Sequence, residues 1–268
     1  MKEKKGINFL VLILLLAVIT EGLIILHLLA RPEKARPIKM PPKPPAAVEL
    51  KGKIAIVLDD WGYNLNNFSI LKKIKAPLTL SVLPNLPFSK KVSSEGHALG
   101  CEIILHLPME PKEKMGLEKN TILTSMNEKT IRNILSSALE SIAYAKGISN
   151  HMGSKATSDR RVMTVIFGEL KKRQLYFLDS YVSGDSVCAD LAGRAGIRFA
   201  RRDIFLDNQS TPASIKEEIK RLKARANRYG SAVGIGHDRK NTLEVLSQVI
   251  PQLEKEGYEF VYLSELVK

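Results

Sequence analysis

At 268 residues, with 44% hydrophobic and 26% charged residues, the chain has the composition of a folded protein with one sizeable core, which excludes a disordered or collagen-like chain. Its two cysteines, Cys101 and Cys188, rule out a disulfide framework and supply no C-x-x-C metal or redox motif, although the two could pair if they were close in space. The formal net charge of +13 suits an anionic surface, or equally a solvated basic surface with no partner.

The N-terminus is not globular. After Lys2, Lys4 and Lys5, the stretch from Ile7 to Ala30 is apolar apart from Asn8, Thr20, Glu21, Gly22 and His27, and is long enough to cross a bilayer. A short basic leader keeps the N-terminus in the cytoplasm. Residues 1–30 therefore read as a leader and signal-anchor transmembrane helix of a bacterial inner membrane, single-pass, with the rest of the chain on the periplasmic or extracytoplasmic side. The alternative is a cleaved secretory signal, which would release the protein. Residues 31–50 carry Pro32, Pro37, Pro41, Pro42, Pro44 and Pro45 among basic residues, the composition of a semi-rigid linker. The folded domain is expected over residues 51–268. With this topology, the positive charge points to phospholipid headgroups or envelope polymers as partners and away from nucleic acid.

Past Lys51, short apolar runs alternate with amphipathic stretches. Strands are predicted at 54–58, 78–83, 102–105, 147–150, 175–178, 198–200 or 204–206, 232–235 and 259–262. Helices are predicted between them at 66–74, 88–98, 128–146, 160–173, 187–195, 213–229 and 243–256. Caps support several starts, such as Asn127 ahead of Glu128 and Thr211-Pro212 ahead of Ala213. Strands alternating with helices predict a parallel sheet with covering helices, and some 220 residues in seven or eight units fit an irregular (β/α)7-8 barrel. An open doubly wound sheet is the runner-up. No Gly-rich phosphate loop is present, so no nucleotide is expected.

The predicted strand ends carry the chemistry. The run KIAIVLDDWG, residues 53–62, ends a buried strand on Asp59 and Asp60. His106, Asn150 with His151, Asp179 with Ser180, and His237 with Asp238 follow other strands. Each alone reads as a cap or a satisfied rim residue. Together they fall on the face where a parallel barrel gathers its active site. Two or three imidazoles and a carboxylate make a site for zinc or a related divalent metal with a position open for water. A second carboxylate could take that water's proton, and a further histidine could protonate a leaving group. His97, near a predicted helix end, reads as a surface residue.

The segments LDDWG at 58–62, EIILHLPMEP at 102–111, NHMGSKAT at 150–157, FLDS at 177–180, FLDN at 205–208 and GIGHD at 234–238 closely resemble the divergent polysaccharide deacetylases, over nearly all of residues 51–268. The resemblance implies a barrel of the polysaccharide deacetylase type and a metal-dependent removal of N-acetyl or related acyl groups from a cell-envelope glycan. It implies Asp59 as base, Asp60 as metal ligand, and His237 as general acid with Asp179 to hold its imidazolium. The His-x-x-x-His motif of the better-known deacetylases is here His106-Leu-Pro-Met-Glu110. The third ligand is then expected to be His151, which keeps a His₂Asp site and leaves Glu110 to orient His106 from behind; direct ligation by Glu110 is the alternative. Asn150 and Ser180 are expected beside the substrate or behind the ligands. The Arg-Pro and Asp-Trp elements of the classical enzymes have no match, so a catalytically reduced metal- or glycan-binding module of the same fold is the alternative. An esterase or phosphoesterase would use the same ligands.

Overall fold

A computed structural model describes residues 8–30 and 49–268, so the basic leader and most of the proline-rich linker lie outside the described residues. Two units are seen, each described by itself. The first contains helix α1 (Phe9–Leu29), 21 residues with a mean hydropathy of 2.9 and no buried side chain. At 1.5 Å per residue it is long enough for the roughly 30 Å hydrocarbon core of a bilayer.

The second unit is a curled parallel sheet wrapped by helices. In chain order it holds β1 (Gly52–Trp61), α2 (Phe68–Leu71), β2 (Thr79–Val82), α3 (Ser89–Ala98), β3 (Glu102–Met109), α4 (Glu128–Glu140), β4 (Ala145–Met152), α5 (Arg160–Arg173), β5 (Tyr176–Asp179) and α6 (Cys188–Ala195). Next come β6 (Phe199–Arg201), β7 (Ile204–Phe205), α7 (Pro212–Tyr229), β8 (Ser231–His237), α8 (Lys240–Lys255) and β9 (Tyr258–Val261). Strands pair in the order β6-β5-β4-β3-β2-β1-β8-β7, all parallel, and β9 lies along the first half of β1. Both candidate strands of the 198–206 region exist. They are one segment that changes partner: β6 pairs with β5, the chain breaks at Arg202-Asp203, and β7 pairs with β8. This handover closes the curl into an irregular barrel.

Most helices start where the sequence places their caps. The Asn127 side chain accepts from Thr130 N and the Thr211 hydroxyl from Ser214 N, each satisfying a first-turn N–H. Two helices are shorter than expected. Residues 66–74 contain only the single turn α2, and the 128–146 helix stops at Glu140 because the chain turns through Tyr144 at φ +64° before entering β4.

Strand alternation divides the apolar residues into two sets. Ile54, Ile56, Leu58, Leu80, Val82, Ile103, Leu105, Ile148 and Phe177 face outwards into the helix layer. Ala55, Val57, Ile104, Tyr176, Leu178, Ala200, Val233 and Ile235 fill the barrel interior. Its lower end is plugged by the buried Glu102, which accepts hydrogen bonds from Thr79 Oγ1, Tyr176 Oη and Ser264 N at 3.1, 2.8 and 3.1 Å. Tyr176 lies flat against Gly147, where a Cβ would sit 2.4–2.6 Å from its ring. Because the ring is pinned by Glu102, Gly147→Ala is expected to lower stability by about 1–3 kcal/mol, read as a fall in the urea midpoint at unchanged slope.

Candidate active site

The upper end of the barrel is set by an irregularity in β1. Leu58 pairs with Leu80 and Trp61 with Val82, so Asp59 and Asp60 together face the single residue Ser81. This is a β-bulge, and Asp60 takes φ +66° to make it. Aspartate tolerates the left-handed region better than most residues, at a cost of order 1–3 kcal/mol. In a regular strand the two carboxylates would point to opposite faces. Here Asp60 stays at the mouth beside Asp59, and Trp61 turns outwards, fully buried and edge-on to Phe68 at 5.7 Å.

Three donor atoms converge at this mouth. Asp60 Oδ1 lies 3.2 Å from His106 Nε2 and 3.1 Å from His151 Nδ1, and the two ring nitrogens are 3.2 Å apart. They come from the upper ends of β1, β3 and β4, where His106 and His151 both fall on inward-facing positions. A tetrahedral cation with bonds of roughly 2.0–2.1 Å has donors about 3.3–3.4 Å apart, close to this triangle. Asp60 Oδ1 is buried and no ring N–H is aligned to hydrogen-bond it. Such an orphaned carboxylate oxygen facing two imidazole nitrogens is what a divalent cation would satisfy, so the residues present fit a metal. Burial works against charge on Asp60, but His106 and His151 outweigh it and hold the carboxyl well below its usual range.

On the other side of Asp59 stands His237. β1 and β8 bring Asp59 and His237 into register as neighbours. His237 Nδ1 bonds Asp207 Oδ1 at 2.6 Å, and Asp207 Oδ2 accepts from His237 N at 2.9 Å and Thr242 Oγ1 at 2.6 Å. Burial alone would lower the His237 imidazole, but the bond to Asp207 and that group's charge, helped by Asp59 and Asp60, raise it above its ordinary value. Phe205 stacks on the His237 ring at 5.9 Å. Asp59 itself is 2% exposed. Its carboxyl is pushed up, chiefly by burial and also by Asp60, with His106 and His237 pulling the other way.

Several expected roles move to other residues. The partner of His237 is Asp207 and not Asp179, because Asp179 shares the outward parity of Phe177 on β5 and bonds Tyr181 N at 2.7 Å and Ser186 Oγ at 2.6 Å. Glu110 neither joins the metal triangle nor orients His106. It accepts from Thr124 N and Oγ1 and from Lys155 Nζ, tying down the loop that follows β3, while the His106 Nδ1 partner is Ser149 Oγ at 2.8 Å. Asn150 and Ser180 clasp one another across β4 and β5, with Asn150 Oδ1 accepting from Ser180 N and Asn150 O from Ser180 Oγ. Asp238 takes a hydrogen bond from Asn67 Nδ2 at 2.9 Å, and His97 stacks on Tyr144 away from the mouth. The two cysteines are free. Asp207, Ser81 and Ser149 are the residues that sequence reasoning passed over. The signal available for Asp207 was its spacing of two from Phe205, which puts both on the inner face.

Removing the charge that raises the imidazole should lower it. Asp207→Asn is therefore expected to bring His237 back towards its ordinary value near 6.5, and Asp179→Asn to leave it in place, as read by an NMR pH titration of the His237 ring.

Comparison with known proteins agrees with this architecture. The chain is 37% identical over 204 residues to the uncharacterized protein YibQ of Escherichia coli K12, a match covering 76% of this chain and 64% of that protein. The chain thus spans just under two thirds of that relative's length. Its fold is similar to the crystal structure of an uncharacterized protein, ATU2773, from Agrobacterium tumefaciens C58, with a TM-score of 0.76 at 23% identity, covering 83% of this chain and 92% of that one. It is also similar in fold to the structure of T48 deacetylase with substrate, with a TM-score of 0.52 at 16% identity, covering 81% and 94% of the two chains. Residues 56–267 match the family described as Divergent polysaccharide deacetylase, and with the match extending over most of its length this chain is a member of that family.

Proposed function

We propose that this protein is a metal-dependent hydrolase that removes N-acetyl or related acyl groups from a cell-envelope polysaccharide. The observation that carries the reading is the convergence, at one barrel mouth, of a metal-fitting Asp60-His106-His151 triangle, a buried carboxylate and a carboxylate-backed imidazole. A binding module needs the first of these and neither of the others. A divalent cation held by Asp60, His106 and His151, zinc in the first instance, would polarise the acyl carbonyl and lower the pKa of an attacking water. Asp59, beside that triangle with Oδ2 at 3.7 Å from His106 Nε2, is placed to take the water's proton. His237, whose imidazole pKa is raised by Asp207, would donate a proton to the departing amine. Burial of Asp59 keeps its oxygens poorly solvated, which makes an ionised carboxylate there a better base.

Helix α1 supports a membrane-held enzyme, with the basic leader on the cytoplasmic side, residues 31–50 as tether and residues 51–268 as the catalytic domain facing the envelope. A cleaved signal would give the same domain without its anchor.

The test is metal content and acetate release on the full chain in detergent. Wild type is expected to carry about one equivalent of zinc, and Asp60→Ala, His106→Ala and His151→Ala each to lose it. Asp59→Asn and His237→Ala should keep the metal and lose about 10²–10⁴-fold in acetate release from N-acetylated glycans. Metal binding with no release from any acylated glycan would point to the binding module. A chain that takes up no metal after reconstitution would remove the hydrolytic reading.

A further inference from the structure

The site occupies one end of the barrel, and the opposite end has a character of its own. Because the strands are all parallel, the helix ends and loops that precede them gather at the lower end. Lys72, Lys73 and Lys75 lie ahead of β2, Lys146 is near the start of β4, and Lys171 and Arg228 stand in the last turns of α5 and α7. All are exposed, and none forms an ion pair among the described residues. Glutamates are fewer there, and Glu256 and Glu259 already pair with Lys223 and Lys53. Aspartate shows the opposite bias: Asp59, Asp60, Asp159, Asp190 and Asp238 stand at the upper ends of strands or the starts of helices.

A helix dipole favours a cation in a last turn, which accounts for Lys171 and Arg228. It does not account for Lys73 and Lys75, beyond the single turn of α2, or for Lys146 inside β4. Like charges gathered at one end repel one another and suit an anionic partner.

A second observation sets the kind of partner. Among the described residues of the barrel, large apolar and aromatic side chains are exposed only at its two ends. Leu50, Leu99, Tyr144 and Tyr229 belong to the lower one, the two tyrosines being 56% and 58% exposed. Cations interleaved with tyrosine and leucine match the headgroup layer of an anionic bilayer, where the cations meet phosphate and the rings lie at headgroup level. A soluble polyanion would engage the charges and leave the apolar side chains in water. The chain also enters the barrel here, since residues 31–48, which follow α1 in the sequence, lead to Leu50 and β1.

We propose that the lower end of the barrel is a docking face for anionic phospholipid headgroups. The proposal rests on the reading of α1 as a membrane anchor. With this face docked, the 10 residues of β1 hold the mouth up to about 30 Å from the headgroups, so it reaches acyl groups on envelope glycan and not those at the membrane surface.

The experiment places the full chain in nanodiscs of phosphatidylcholine, alone or with about 40% phosphatidylglycerol, and reads trace acylation of each lysine by a water-soluble N-hydroxysuccinimide ester with mass spectrometry. Lys73, Lys75, Lys146 and Lys171 should react about 3–10-fold more slowly in the anionic discs, with Lys112 and Lys114 above the mouth unchanged. Salt at about 1 M should remove the protection. The double variant Lys73→Gln, Lys75→Gln should reduce the protection of Lys146 and Lys171, because the face docks as a unit. Protection that is equal in the two discs, that survives salt, or that falls on the mouth lysines instead would overturn the proposal. Equal protection by soluble polygalacturonate around the chain in detergent micelles would also overturn it, by assigning the face to an anionic polymer. A chain that enters discs of neither composition loses the anchor, and the docking face with it. A chain that enters and shows no protection loses the docking face alone.

Discussion

The site depends on a single extra residue in β1. Period-two alternation along six strands sends Asp59, Ser81, His106, Ser149, His151, Phe205 and His237 inwards, and the bulge at Asp60 adds the one group that alternation would have sent to the helix layer. Without it Asp60 would lie among outward-facing leucines and the triangle with His106 and His151 would lack its carboxylate. The bulge also lets Trp61 leave the mouth and pack edge-on to Phe68, so its strain is offset by the burial of a large aromatic side chain.

Charge at the mouth is arranged in two groups. Asp60 faces the imidazoles of His106 and His151, and Asp207 faces His237, with Asp59 between the groups and strongly desolvated. Asp59 Oδ1 and Asp60 Oδ1 are both buried without a hydrogen-bond partner. Two such acceptors side by side are costly unless a positive charge lies against them, so a cation held here would have a structural as well as a chemical role. The network below, through Ser81 and Ser149, takes up the remaining polar groups.

Much of this was legible in the chain because it follows from local pattern. Continuous β-branched runs gave the buried strands, capping residues such as Asn127 and Thr211 gave the helix starts, and the clustering of acids and histidines at strand ends gave the location of the site. What was not legible depends on parity and on partner choice. Asp179 and Asp207 both end an apolar F-L-D run, and only the register of each strand decides which one points inwards to His237. Glu110 stands where a ligand was expected by spacing, but the chain leaves β3 at Met109, one residue too early for Glu110 to remain on the interior face. The serines carried no sequence signal, since an isolated serine in an apolar strand reads as noise until its neighbours across the sheet are known.

The handover between β6 and β7 has a bearing on how the mouth works. The strands that carry Asp60, His106 and His151, β1, β3 and β4, are long and paired on both edges, whereas His237 on β8 has for its outer neighbour the two-residue strand β7. Arg202, at the break, bonds Ser180 O and Tyr181 O and covers the Phe205 ring at 3.7 Å, and that ring in turn rests on His237. The two sides of the mouth therefore differ in how they are held. His237 is thus held through a short strand and a stack of side chains, whereas Asp60, His106 and His151 stand on long, doubly paired strands.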